Sequence, residues 1–130
     1  MIRRYSAQKR MIQESLKRLD HPTAAQVYEE IRKDYPQISL GTVYRNLNIM
    51  AEDGEIMRLP FSGAPDHFDQ NPEEHYHIVC SRCGWIFDTD GISREILAEL
   101  DEAVQACTGV EVQSRNMIFY GVCVACKKVQ

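Results

Sequence analysis

Ser39-Leu40-Gly41-Thr42-Val43-Tyr44-Arg45-Asn46-Leu47-Asn48-Ile49-Met50 is followed, after Gly54, by Glu55-Ile56-Met57-Arg58-Leu59-Pro60-Phe61. The first stretch predicts a helix capped by Ser39, whose hydroxyl can accept a free backbone N–H of the first turn. Leu40, Val43, Leu47 and Met50 recur at helical spacing and form the expected buried stripe. Gly54 supplies a C-terminal stop. The second stretch has apolar residues at alternating positions, and Ser62-Gly63-Ala64-Pro65 then predicts a turn with a return strand through Phe68. Upstream, Thr23-Ala24-Ala25-Gln26 is a capping box opening a helix with Ala24, Val27, Tyr28 and Ile31 inward and Tyr35-Pro36 as its end. Before that, Ser6 is the expected cap of a first helix running to about Leu19, with Ile12, Leu16 and Leu19 on one face. Three helices and a hairpin in this order predict a winged helix-turn-helix.

In that architecture the third helix enters a DNA major groove. Its exposed face carries Thr42, Arg45 and Asn48, with Tyr44 at the edge, after the Ser39 cap. Arg45 can fork onto guanine, Asn48 can pair with adenine, and Thr42 and Tyr44 can touch phosphate or a thymine methyl. A helical bundle whose polar face only meets water would present similar residues.

Charge divides the chain. Residues 1–62 hold 10 Lys/Arg and 8 Asp/Glu (+2), residues 63–130 hold 5 and 11 (−6), and together they give the net −4. A basic front half suits a polyanion and an acidic rear half suits cations. No apolar run reaches the roughly 20 residues of a bilayer span, and the start lacks a signal-peptide pattern. The expectation is a cytoplasmic protein with no membrane association, in which thiols stay reduced and paired cysteines act as metal ligands.

In the rear half, Asn71-Pro72-Glu73-Glu74 has the composition of a hinge, dividing the chain into domains 1–70 and 71–130. His77–Cys80 and Trp85–Asp88 are expected strands, Ile92 to about Cys107 a helix ended by Gly109, and Val110–Val124 a further strand. The predicted class is α+β: an N-terminal winged helix-turn-helix plus a small C-terminal α/β dimerisation domain. Two Cys-x-x-Cys pairs, Cys80/Cys83 and Cys123/Cys126, can close a tetrahedral thiolate site. Zinc is the expected occupant, with mononuclear iron or a disulfide pair as alternatives. Cys107 falls near the apolar stripe of its helix and is read as a buried small hydrophobe. His75 and His77 flank Tyr76, so on a strand both rings share one face, with Asp69 and Asp88 on either side in sequence. His67 is read as an ordinary surface histidine.

Together these stretches resemble the ferric uptake regulator (Fur) family of bacterial metal-dependent repressors, and within it the peroxide-responsive (PerR) branch. The matching pieces are Gln8-Lys9-Arg10, His21-Pro22-Thr23-Ala24, Gly41-Thr42-Val43-Tyr44-Arg45-Asn46-Leu47, Phe68-Asp69, His75-Tyr76-His77 through Cys80-x-x-Cys83-Gly84, and Tyr120-Gly121-x-Cys123-x-x-Cys126. The resemblance implies that Cys80, Cys83, Cys123 and Cys126 hold structural Zn2+. It implies that His21, Asp69, His75, His77 and Asp88 hold a regulatory Fe2+ or Mn2+. It further implies a homodimer on a double-stranded, palindromic DNA operator, released when iron and peroxide oxidise His21 or His75. The aspartate at Asp88 is the form typical of the peroxide-responsive branch, glutamate that of the iron-responsive one. The alternative within the family is an iron or manganese uptake regulator that senses metal availability only.

The chain departs from the family pattern in three ways. It begins late, so most of the usual first helix is expected to be missing. Arg115 and Asn116 stand where many iron-responsive members place a histidine, and Tyr76 separates the two histidines, so an additional rear-half metal site is not expected. No histidine-rich tail follows the last cysteine. Rival classes are a zinc- or iron-dependent enzyme, for which the chain has no room for a substrate domain, and a thiol oxidoreductase using the Cys-x-x-Cys pairs. The reading excludes an enzyme.

Overall fold

The computed structural model describes residues 2–128, with side chains from residue 7 onward. Helix α1 spans Ile2–Arg18, α2 Ala24–Ile31 and α3 Leu40–Glu52, and strands β1 (Met57–Phe61) and β2 (Ala64–Asp69) form a two-stranded antiparallel hairpin. The apolar stripes meet as one core: Ile12, Leu16, Val27, Ile31, Val43, Leu47, Met50 and Phe68 are all buried. Burying a side chain of this size contributes about 1.5–3 kcal/mol relative to leaving it in water. This cluster therefore holds the three helices against the hairpin.

Local details depart from expectation. Helix α1 begins ahead of Ser6, which lies inside it, and the Ser6 side chain is outside the described residues. Helix α2 stops at Ile31, before Tyr35-Pro36, because the Asp34 and Tyr35 amides both turn back onto the Ile31 carbonyl. Leu40 is exposed: it stands in the first turn of α3, and the stripe is completed instead by buried Asn46, whose amide donates to Gln8 at 3.1 Å. The Thr23 capping box and the Ser39 cap form as expected. Gly54 stands past the α3 C-cap with φ +76°, a backbone region that glycine enters without steric cost. The hairpin turn is Ser62-Gly63, with Ala64 and Pro65 already in β2.

Contacts divide the chain into Met1–Glu73 and Glu74–Gln130, a break within the Asn71–Glu74 segment and three residues beyond the expected boundary. In the second unit β3 (Tyr76–Cys80) lies between β4 (Ile86–Thr89) and β5 (Ile118–Gly121), antiparallel to the first and parallel to the second. Helix α4 (Arg94–Thr108) starts at a Ser93 cap and ends at Gly109 in the left-handed region, and α5 is the short turn Val124–Lys127. The expected strand Val110–Val124 shrinks to Ile118–Gly121. The preceding segment satisfies itself through side chains, as where the Val112 amide donates to Gln105 Oε1 at 3.0 Å.

Cys107 is exposed, not buried. The reason is that α4 has no buried residue within its own unit: Ile96, Leu100 and Val104 on its apolar stripe are all exposed, and Cys107 continues that stripe.

Candidate metal centres and nucleic-acid interface

The four paired cysteines converge inside the second unit. Cys80 closes β3, Cys83 follows in the next turn, and Cys123 and Cys126 flank and occupy α5. Their sulfurs lie within 4.8 Å of one another, and Cys83 Sγ is 3.8 Å from Cys123 Sγ. A tetrahedral zinc with Zn–S near 2.3 Å places sulfurs about 3.8 Å apart, so the donor set fits that ion. The backbone prepares the charge. The Cys123 and Cys83 amides donate to Cys80 Sγ at 3.4 Å each, and these donors lower the Cys80 pKa to about 5. With one thiolate in place, the neighbouring sulfurs Cys123 and Cys80 push Cys126 up to about 12. For Cys83 the Trp85 amide pulls downward, but burial and the sulfurs of Cys80 and Cys123 raise the thiol overall. Four crowded sulfurs resist sharing negative charge, and a dication removes that cost.

The histidine and aspartate candidates fall into two groups, one in each unit. In the first unit His21 has φ +46°, uncommon for a residue with a side chain. Three contacts hold it there. His67 Nδ1 donates to the His21 carbonyl at 2.6 Å, the Phe68 amide donates to the Pro22 carbonyl at 2.8 Å, and Thr23 bridges to His67. His21 Nδ1 meets the Asp20 carboxylate, which leaves Nε2 facing Asp69 Oδ2 at 3.3 Å. An Nε2 lone pair and a carboxylate oxygen repel at that distance unless a proton or a cation lies between them. A carboxylate behind a metal-binding imidazole is the usual way to fix its tautomer. Asp69 is itself aimed by the Asn71 amide, which donates to Oδ1 at 2.9 Å.

In the second unit His77 and Asp88 are direct partners across the β3–β4 ladder. His75 Nε2 and His77 Nε2 approach the same oxygen, Asp88 Oδ1, at 3.3 and 3.2 Å. Both imidazoles are buried while Asp88 is half exposed, so this group too gathers nitrogen and oxygen donors at one point. Such donors suit iron or manganese rather than a thiophilic ion.

Sequence reasoning missed the supports. Asp20 and His67 act on the His21 ring and backbone, and only the left-handed turn brings them there. Arg115, noted only as a departure, anchors the second unit. Its guanidinium forks onto Asp101, with Nε to Oδ1 at 2.6 Å, and reaches Glu74 Oε2 at 2.6 Å and the Tyr76 hydroxyl at 3.2 Å. Asp101 is thereby held below its ordinary pKa, and burial raises that of the Tyr76 phenol.

On α3, Tyr44 and Arg45 are exposed, and Thr42 and Asn48 are half-buried. Leu40, Gly41, Tyr44, Arg45, Asn48, Ile49 and Glu52 line one open concavity. Ser39 is engaged as the cap, accepting from the Thr42 amide at 3.1 Å. Among the described residues no helix is long and apolar enough to cross a membrane.

A winged helix-turn-helix joined to a small sheet domain with a thiolate cluster and imidazole–carboxylate donors defines a metal-responsive regulator. The sequence pattern of the Ferric uptake regulator family matches residues 3–120. The peroxide-responsive repressor PerR of Staphylococcus aureus strain USA300 is 36% identical over 107 residues, spanning 82% of this chain and 70% of that protein. Among solved structures, the Campylobacter jejuni peroxide stress regulator superposes with a TM-score of 0.74 at 34% identity, covering 95% of this chain and 91% of that one. The Helicobacter pylori ferric uptake regulator, described as having three functional metal-binding sites, superposes at 0.77 with 25% identity, covering 93% and 80%. The chain belongs to the ferric uptake regulator family. Its cofactors are Zn2+ on the cysteine cluster and Fe2+ or Mn2+ on the histidine and aspartate donors.

Proposed function

We propose that this protein is a cytoplasmic, homodimeric transcriptional repressor that binds a palindromic DNA operator when its regulatory metal is present and releases it on exposure to hydrogen peroxide. Arg45 and Tyr44, with Ser39, Thr42 and Asn48 around them, form the DNA-facing surface of α3. The uncovered apolar stripe Ile96–Leu100–Val104 of α4 supports a second copy as partner, since a stripe of that size is costly to leave in water. Cys80, Cys83, Cys123 and Cys126 hold the structural zinc.

His21 and Asp69 from the DNA-binding unit, with His75, His77 and Asp88 from the other, together hold one Fe2+ or Mn2+. Donors drawn from both units fix one orientation of the two, and by linkage DNA then favours metal as much as metal favours DNA. Bound ferrous iron would supply the electrons that reduce peroxide beside its histidine ligands. His21 and His75 are the ligands that the family resemblance marks for oxidation. An oxidised imidazole is a poorer ligand, and losing it uncouples the units.

The single observation carrying this reading is the convergence of His75 Nε2 and His77 Nε2 on Asp88 Oδ1, an aspartate rather than a glutamate. The second reading, an iron or manganese uptake regulator, draws on the same donors and on the likeness to the Helicobacter pylori protein. The two separate in one experiment. Protein loaded with Fe2+ or Mn2+ is assayed for DNA binding before and after peroxide, and the His21 and His75 peptides are weighed. Peroxide sensing requires DNA release and the gain of one oxygen atom with iron and neither with manganese. Metal-dependent binding without that gain identifies the uptake regulator.

A further inference from the structure

We propose that Arg58, on the hairpin, is a DNA-phosphate contact, and that Asn48 acts through it as a positioning residue rather than by reading a base. This rests on the DNA-binding reading above. Asn48 stands on the exposed face of α3, three residues beyond Arg45, so the two are neighbours on that face. Its carbonyl is already in use: Arg58 Nη2 donates to Asn48 Oδ1 at 2.8 Å. Reading adenine takes both ends of the amide, with the oxygen accepting from N6 while the nitrogen donates to N7. The guanidinium takes one of that oxygen's two lone pairs and fixes the amide's orientation toward the hairpin.

Arg58 gains what Asn48 gives up. Its side chain is 34% exposed, and its Nε lies 4.0 Å from Asp66 Oδ2, too far for a hydrogen bond. Nε is buried and lies out of a ligand's reach, so a phosphate would meet the exposed part of the guanidinium instead. Asn48 on α3 holds it through that bond while Asp66 on β2 stands 4.0 Å away, so Arg58 sits on the hairpin at the flank of α3. A side chain at that flank meets the sugar–phosphate backbone when the helix lies in the groove. An arginine held in place beforehand loses less rotamer freedom on binding than a free one. Asp66 is the resident competitor, since its carboxylate neutralises part of the charge a phosphate would meet.

The test uses the full chain loaded with zinc and Mn2+, and a duplex enriched by that protein from a randomised DNA pool. Affinity is measured across a salt series for wild type, Arg58→Gln, Arg58→Lys, Asn48→Ala and the Asn48→Ala/Arg58→Gln double variant. Arg58→Gln is expected to weaken binding by about tenfold, as loss of a charge-assisted hydrogen bond does. Its log-affinity against log-salt slope should shrink by about 0.9, the value of one phosphate. Arg58→Lys should keep the slope. Asn48→Ala should weaken binding without relaxing any base preference, and should add nothing once Arg58 is Gln. Additive losses with relaxed preference at one base pair would show that Asn48 reads a base and overturn the proposal. So would an unchanged slope in an Arg58→Gln protein that melts like wild type. If Arg58→Gln melts early, Asp66→Asn decides: removing the competitor should tighten binding, and unchanged affinity overturns the idea. A pool that yields no duplex for wild type refutes the DNA-binding reading itself, which is a separate failure.

Discussion

The cysteine cluster and the histidine–aspartate donors are both assembled from distant sequence, yet they differ in where their ligands live. All four cysteines belong to the second unit, on β3, its following turn and α5. The other donors are divided, with His21 and Asp69 in the first unit and His75, His77 and Asp88 in the second. A site closed within one unit can stabilise only that unit. A single ion shared by both sets, as proposed above, would report on the relation of the units. The first arrangement suits a permanent metal and the second an exchangeable one.

The contrast breaks most sharply at Cys123. Structural zinc sites carry on the order of 10–16 kcal/mol of apparent binding energy, as large as the whole stability of a small domain at roughly 5–15 kcal/mol. Cys123→Ser should therefore lose zinc and the dimer together, read by metal analysis and sedimentation. A variant that stayed dimeric with an unchanged melting temperature would remove the structural role. Next in size is His21→Ala, which should leave zinc content and melting near wild type while abolishing the metal dependence of DNA binding. If metal still tightened DNA binding in that variant, His21 would not be the ligand that links the units.

Asp88→Glu sharpens the comparison further. It keeps the carboxylate but moves it by about one methylene, on the order of 1 Å, relative to His75 and His77. Mn2+ affinity should stay within about tenfold, while oxygen uptake by the histidine peptides in the iron-loaded protein falls. Equal oxidation of wild type and variant would show that Asp88 does not tune the site. The smallest effect is expected at Asp101, outside both metal groups. Its carboxyl is held below the ordinary value by Arg115, so the folded state binds that proton less readily than the unfolded chain. The stability this contributes is present above the unfolded pKa and is lost as pH falls through the folded one. Asp101→Asn should lower the melting temperature near neutral pH, and the gap should close in acid. A gap that persisted in acid would assign the effect to packing instead.

Much of this was legible in the sequence, and the parts that were not share a cause. The Thr23 and Ser39 caps, the stripe Val43–Leu47–Met50 and the paired cysteines are local patterns, and they fold as their spacing predicts. Cys107 and Leu40 were misjudged because an apolar stripe does not say whether its own unit covers it. The segment before Ile118 alternates in a way that suggests a strand, but the Val110 and Val112 amides are taken by the Thr108 and Gln105 side chains instead of a ladder. His21 was visible as a candidate only through the family resemblance. Nothing in composition signals that residue 21 adopts φ +46° with Asp20 and His67 supporting it. Those are contacts of backbone conformation, and a one-dimensional pattern does not encode them.

The strand order β4-β3-β5 leaves β5 at one edge of its sheet, with Phe119 and Tyr120 exposed. Two residues beyond Gly121, the Cys123 amide donates to Cys80 Sγ, and at the same end the Ser81 amide donates to the Gly121 carbonyl at 2.7 Å. The cluster thus acts as a pin at the loose end of an edge strand. Pulling that pin with a chelator would free a short aromatic strand with unpaired N–H and C=O groups, the template on which chains stack. Stripped protein would then be open to aggregation through that edge. The working lifetime of the regulator outside the cell would be set by how slowly its metal leaves.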